Sequence, residues 1–112
     1  MIVKMLQVGP IMTNCYIVGC KETKQGAIID PGGNGDRILA EVRQLGLEIK
    51  YVINTHAHFD HTLANREVIE GLTENQQQPP LLAIHQAEEP MLKSGGGAAL
   101  FGLRGFFSPP AD

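Results

Sequence analysis

Short apolar runs set off by polar and glycine-rich breaks open this chain, and apolar residues at helical spacing follow further along. Ile2 to Val8 is rich in apolar and β-branched residues and stops at Gly9-Pro10. Cys15 to Val18 and Ala27 to Ile29 are two further apolar runs, separated by the polar stretch Lys21-Glu22-Thr23-Lys24-Gln25. These read as an antiparallel start to a sheet, with the polar stretch as a hairpin connection. After Asp30 the loop Pro31-Gly32-Gly33-Asn34-Gly35 interrupts the pattern. Asp36 is expected to cap a helix in which Ile38, Leu39, Val42 and Leu45 keep helical spacing, with Gly46 closing it. Tyr51-Val52-Ile53 reads as a compact buried strand. A second helix is expected from about Thr62 to Glu70, ended by Gly71. Gln76-Gln77-Gln78-Pro79-Pro80 is a polar connection, Leu81 to Ile84 another strand, and Gln86 to Leu92 a short acidic helix.

Strand and helix alternate from Ala27 to Ile84, which implies right-handed parallel crossovers and puts both helices on the same face of the sheet. The expected fold class is α/β, a mixed sheet with helices on one face. Ligand sites in such sheets lie beyond the carboxyl ends of the strands. Asp30, the stretch after Ile53 and His85 each follow a strand end, so they should share one rim. Residues 1–93 read as one folded unit. From Ser94 to Asp112 the glycine-rich segment with Phe101, Phe106 and Phe107 fits neither period and is expected to be a lid or tail.

Length and composition narrow the class. A chain of 112 residues is one domain at most, and 43% hydrophobic with 19% charged residues describes a globular protein. A formal charge of −3 with nine scattered Lys and Arg residues gives no basic stripe, so nucleic acid is not an expected partner. No apolar run approaches the ~20 residues needed to span a bilayer. Met1 to Val8 is not a signal-peptide block, and the expectation is a cytoplasmic protein. Cys15 and Cys20 are the only cysteines. In extended chain their α-carbons would lie about 16 Å apart, beyond the ~7 Å limit of a disulfide, so two reduced thiols are expected.

The chemistry is concentrated in Thr55-His56-Ala57-His58-Phe59-Asp60-His61, which holds three of the four histidines. His56, His58 and His61 with Asp60 offer a mixture of imidazole nitrogen and carboxylate oxygen that Zn²⁺ and its borderline neighbours prefer. His56 and His58 are two apart, so in extended backbone their rings point to one side. Asp60 and His61 come after a turn and can reach a second position. The arrangement suits a pair of metals, which can polarise an electrophile and hold a hydroxide between them. The competing reading is a polar helix-start loop with Asp60 as the cap and solvated histidines.

These residues resemble the signature of the metallo-β-lactamase-fold hydrolases. Met12-Thr13-Asn14-Cys15-Tyr16-Ile17-Val18 and Gly26-Ala27-Ile28-Ile29-Asp30-Pro31-Gly32-Gly33 agree with it, and the pattern looks most like the glyoxalase II-like branch. The resemblance runs along essentially the whole chain but takes in only the N-terminal half of the family's αββα sandwich. It implies that His56 and His58 bind a first metal and that Asp60 and His61 bind a second. Asp60 would also orient the attacking water, and Asp30 would stand behind the ligands. The implied ion is Zn²⁺, one or two per chain, with Fe or Mn as alternatives. The implied reaction is attack by metal-bound hydroxide on a small-molecule thioester or ester, such as an acyl-glutathione.

Two departures shape the expectations. Leu63-Ala64 stand where the family usually carries a glycine pair that lets the next helix pack close. The family's remaining ligands come from its second half, so metal held by this stretch alone should be weak, or a single ion. The second reading is therefore a truncated metal-binding half-domain, inactive alone, that assembles with another chain. The helix-free face of the sheet makes a homodimer the expected assembly.

Other candidates carry less. His85, before Gln86-Ala87-Glu88-Glu89, reads as a rim or capping residue. Pro31-Gly32-Gly33-Asn34-Gly35 lacks the features of a phosphate loop and reads as a tight turn that lets backbone approach the rim. Glu88-Glu89 reads as a solvated helix face.

Overall fold

The computed structural model describes residues 1–10, 12–55, 64–76 and 78–84. Five strands and two helices follow in the order β1 (Ile2–Val8), β2 (Thr13–Gly19), β3 (Gln25–Ile29), α1 (Gly35–Leu45), β4 (Glu48–Asn54), α2 (Asn65–Asn75) and β5 (Leu81–Ile84). They form one mixed sheet in the spatial order β1-β2-β3-β4-β5. The first two neighbouring pairs are antiparallel and the last two parallel. Strands β1, β3, β4 and β5 thus run in one direction, and their carboxyl ends meet on one edge.

Side chains alternate across that sheet because successive residues of a strand point to opposite faces. On the covered face Ile17, Ile28, Val52 and Leu82 stand in one register row across four strands. All are buried, as are Leu6 and Cys15, which face each other across β1 and β2. Ile38 and Val42 of α1 and Val68 and Leu72 of α2 complete the same apolar cluster. Each fully buried aliphatic side chain contributes roughly 1.5–3 kcal/mol, which is what holds both helices to this face.

The helices differ from expectation at their ends. α1 begins at Gly35, and Asp36 lies in its first turn rather than capping it. The residue at the cap position, Asn34, is left-handed with φ 51°, and its side chain turns away to accept the Gly9 N–H at 2.8 Å. Asp36 still faces the positive end of the helix dipole. Gly46 closes α1 at φ 70°, as expected.

α2 starts at Asn65 and runs to Asn75, so Gly71 is an interior residue and not a stop. The reason is packing: a Cβ on Gly71 would lie 2.5 Å from Leu39 Cδ1. The missing side chain lets α1 press into α2, which outweighs glycine's weak helix propensity.

One extra residue, Lys50, enters β4 where the β3 register shifts between Gly26 and Ala27. Nearby, the Gln76 side chain behaves as a short strand. Its Oε1 accepts the Ile49 N–H at 3.1 Å and its Nε2 donates to the Ile49 carbonyl at 2.7 Å. The expected helix Gln86–Leu92 and the tail from Ser94 lie outside the described residues. Among the described residues no helix is long and apolar enough to cross a membrane.

Candidate functional site

The rim where the parallel strands end is built from two loops in backbone contact. A Cβ on Gly33 would lie 2.4 Å from Gly9 Cα, and one on Gly9 would lie 2.5 Å from the Gly32 carbonyl oxygen. Only glycine at both positions allows that approach, which accounts for the Gly-rich turn after β3. The Gly9 bond to Asn34 Oδ1 ties the two loops together, and Arg37 Nη1 adds a bond to the Gln7 carbonyl at 3.1 Å.

Asp30 follows β3 and adopts φ 57°, a left-handed conformation that short polar side chains tolerate better than most. Its N–H donates to the Ile53 carbonyl at 2.8 Å, which carries the β3–β4 ladder one step past the strand. The turn aims its carboxylate across the end of β4. Asp30 Oδ1 accepts the Thr55 N–H at 2.7 Å and Oδ2 accepts the Thr55 hydroxyl at 2.5 Å. Asp30 is only 5% exposed, so these charge-assisted bonds compensate its desolvation. Its charge also reaches Cys15: burial first, and then Asp30, push that thiol up to about 12.

His56, His58, Asp60 and His61 lie outside the described residues, as does His85. Their sequence neighbours do not. Thr55, just before the loop, is held by Asp30, and Ala64, just after it, donates its N–H to the Pro31 carbonyl at 2.9 Å. The loop therefore leaves and returns at two consecutive residues of the β3–α1 turn. Ala64, standing where a glycine was expected, is buried with its backbone on that carbonyl. Beneath these ties Asn54 and Asn65 exchange two side-chain hydrogen bonds, at 2.8 and 3.2 Å.

The supporting roles of Thr55, Asn54 and Asn65 are not evident from the sequence pattern. The available signal was polarity out of place: Asn54 ends an apolar strand, and Asn65 sits on the buried side of its helix. Among the described residues no three His, Cys, Asp or Glu side chains gather where they could hold a metal ion. The donor set that fits one is the loop's own, three imidazoles and a carboxylate within six residues.

Comparison with known proteins gives the same direction. The sequence profile of the metallo-beta-lactamase superfamily matches residues 8–91. The chain is 36% identical over 59 residues to a hydroxyacylglutathione hydrolase of Haemophilus influenzae, covering 53% of this chain and 27% of that protein. It is 42% identical over 65 residues to a probable metallo-hydrolase of Bacillus subtilis, covering 58% of this chain and 30% of that one. Among solved structures, BLEG-1, a B3 metallo-beta-lactamase, superposes with a TM-score of 0.82 at 29% identity, over 99% of this chain and 51% of its own. TTHA1623, crystallised in a di-iron-bound form, gives 0.77 at 28% identity, over 98% and 50%. The chain thus spans about half the length of these structures and less than a third of the two curated relatives.

Proposed function

Because this chain belongs to the metallo-beta-lactamase superfamily, we propose that it carries the metal loop of a metal-dependent hydrolase. We propose further that the substrate is a small thioester or ester, with an acyl-glutathione as the leading candidate. The observation that carries this reading is the double anchoring of the histidine loop, Thr55 on Asp30 and Ala64 on Pro31. The hydroxyacylglutathione hydrolase among its relatives supports the thioester.

In this reading His56 and His58 hold one ion, and Asp60 and His61 hold a second. When bound, Zn²⁺, or Fe or Mn in its place, supplies Lewis acidity toward the substrate carbonyl and toward water. Asp60 accepts a hydrogen bond from the attacking water and orients it. Asp30 acts through Thr55, fixing where the loop departs from β4, and touches no reacting atom. Calorimetric titration with Zn²⁺, alongside hydrolysis of an acyl-glutathione, tests the assignment. Binding and any thioester cleavage should disappear together in the double variant His56→Ala/His58→Ala. Unchanged metal stoichiometry in that variant would overturn it.

A second reading, a metal-binding unit that must assemble to work, is favoured by the sheet face that carries no helix among the described residues. Val3, Val18, Ala27, Tyr51 and Leu81 form one apolar register row there, and Met5, Tyr16, Ile29, Ile53 and Ala83 form the next. Neither row contains a charge. The occupant that fits is a second copy of the chain, since an uncharged apolar face meets its own copy without like-charge repulsion.

A further inference from the structure

We propose that the Asn54–Asn65 amide pair is a positioning clasp that sets the separation of the two ends of the metal loop. The inference rests on the metal-loop reading given under Proposed function. Asn54 is 3% exposed and Asn65 is wholly buried. Each position continues an apolar series: Asn54 follows Val52 on the covered face of β4, and Asn65 precedes Val68 and Leu72 on the buried stripe of α2. Packing alone would be served by two aliphatic residues here. The chain instead buries two amides and bonds them to each other, Asn65 Nδ2 donating to Asn54 Oδ1 and Asn54 Nδ2 donating to Asn65 Oδ1.

The difference between the two solutions is directional. Apolar attraction has no preferred direction, whereas a reciprocal amide pair holds only within a narrow range of distance and angle. The pair joins the residue before Thr55 to the residue after Ala64. It therefore closes the base of the loop beneath the Asp30–Thr55 and Pro31–Ala64 ties. Groups that orient metal ligands from behind commonly matter 10–100-fold in metal affinity. Asn54 and Asn65 are positioning residues in this sense, acting on ligands they precede and follow in the chain.

The test separates positioning from stability. Replacing both amides with similarly shaped apolar groups, Asn54→Leu/Asn65→Leu, removes both members of the pair together, and the variant should still melt cooperatively. The metal-free double variant and the parent protein are melted, and both are then titrated with Co²⁺ while its visible absorption is recorded. The expected result is Co²⁺ affinity reduced about 10-fold or more, with a displaced absorption band, in a protein that still melts cooperatively. If the double variant does not fold, Asn54→Ser, which keeps one donor and one acceptor, is read in the same way. Parent-like affinity and band position in the folded variant would overturn the clasp while leaving the metal loop standing. Absence of Co²⁺ binding by the parent protein would overturn both.

Discussion

The carboxylate of Asp30 grips Thr55 through both of its oxygens, one on the backbone N–H and one on the hydroxyl. These residues are 25 apart in sequence and belong to adjacent parallel strand ends. Asp30→Asn keeps a residue that tolerates φ 57° but removes the charge and one acceptor. It should cost about 1–3 kcal/mol. Asp30→Ala should cost more, because alanine adds left-handed strain of roughly 1–2 kcal/mol. Chemical denaturation of both variants checks the order. Stabilities of both variants equal to the parent's would mean that the Thr55 bonds contribute little.

Gly33 tests the contact between the two rim loops. Its missing Cβ would collide with backbone, not with the movable end of a side chain, so Gly33→Ala must displace a loop. The expected loss is about 1–3 kcal/mol. Because the displaced turn carries Asp30 and Pro31, Zn²⁺ affinity should fall with it. Calorimetric titration of the variant, beside its denaturation curve, measures both.

The two thiols should react very differently. Cys20 is exposed, and hydrogen bonds from the Thr23 backbone N–H and then its hydroxyl bring its thiol down to about 7. Cys15 is buried and its thiol stands at about 12. Iodoacetamide at neutral pH should modify Cys20 quickly and reach Cys15 only on unfolding, with mass spectrometry of timed samples as the measurement.

Cys15 also predicts a pH dependence. Below its ordinary value of 9.0 it is a thiol in folded and unfolded chains alike, and it contributes no slope. Between 9.0 and about 12 the unfolded chain ionises while the folded one stays protonated. Stability should then fall as pH rises, by up to ~1.4 kcal/mol per pH unit. Denaturation curves of Cys15→Ala should lack this part of the alkaline slope, and identical slopes would contradict it.

The sheet face that carries no helix among the described residues predicts an assembly. Val3, Met5, Tyr16, Tyr51 and Leu81 on it are between 37% and 60% exposed. Burying ~600 Å² of such surface is worth on the order of 15 kcal/mol before entropic costs. Sedimentation of the 112-residue chain at tens of micromolar should give a dimer, and Tyr51→Lys should shift it toward monomer. A compact monomer of the parent chain would rule this face out as a self-interface.

What the sequence determined by itself was the element order and the donor chemistry. Apolar runs marked all five described strands to within a few residues, since a side chain's inward or outward direction depends only on its place along the strand. The imidazoles crowded around Asp60 carry the proposal of a metal loop, because the types of donor present can be read without three-dimensional information. Tertiary contacts decided the helix ends. Asn34 left its capping role for Gly9, and Gly71 stayed helical because Leu39 packs on it. They also decided the supports of the loop, Asp30 with Thr55 and Asn54 with Asn65. Those pairs join residues 25 and 11 positions apart, and no local pattern says which polar side chains will meet. A buried polar residue is specified by its partner, and only the folded chain supplies one.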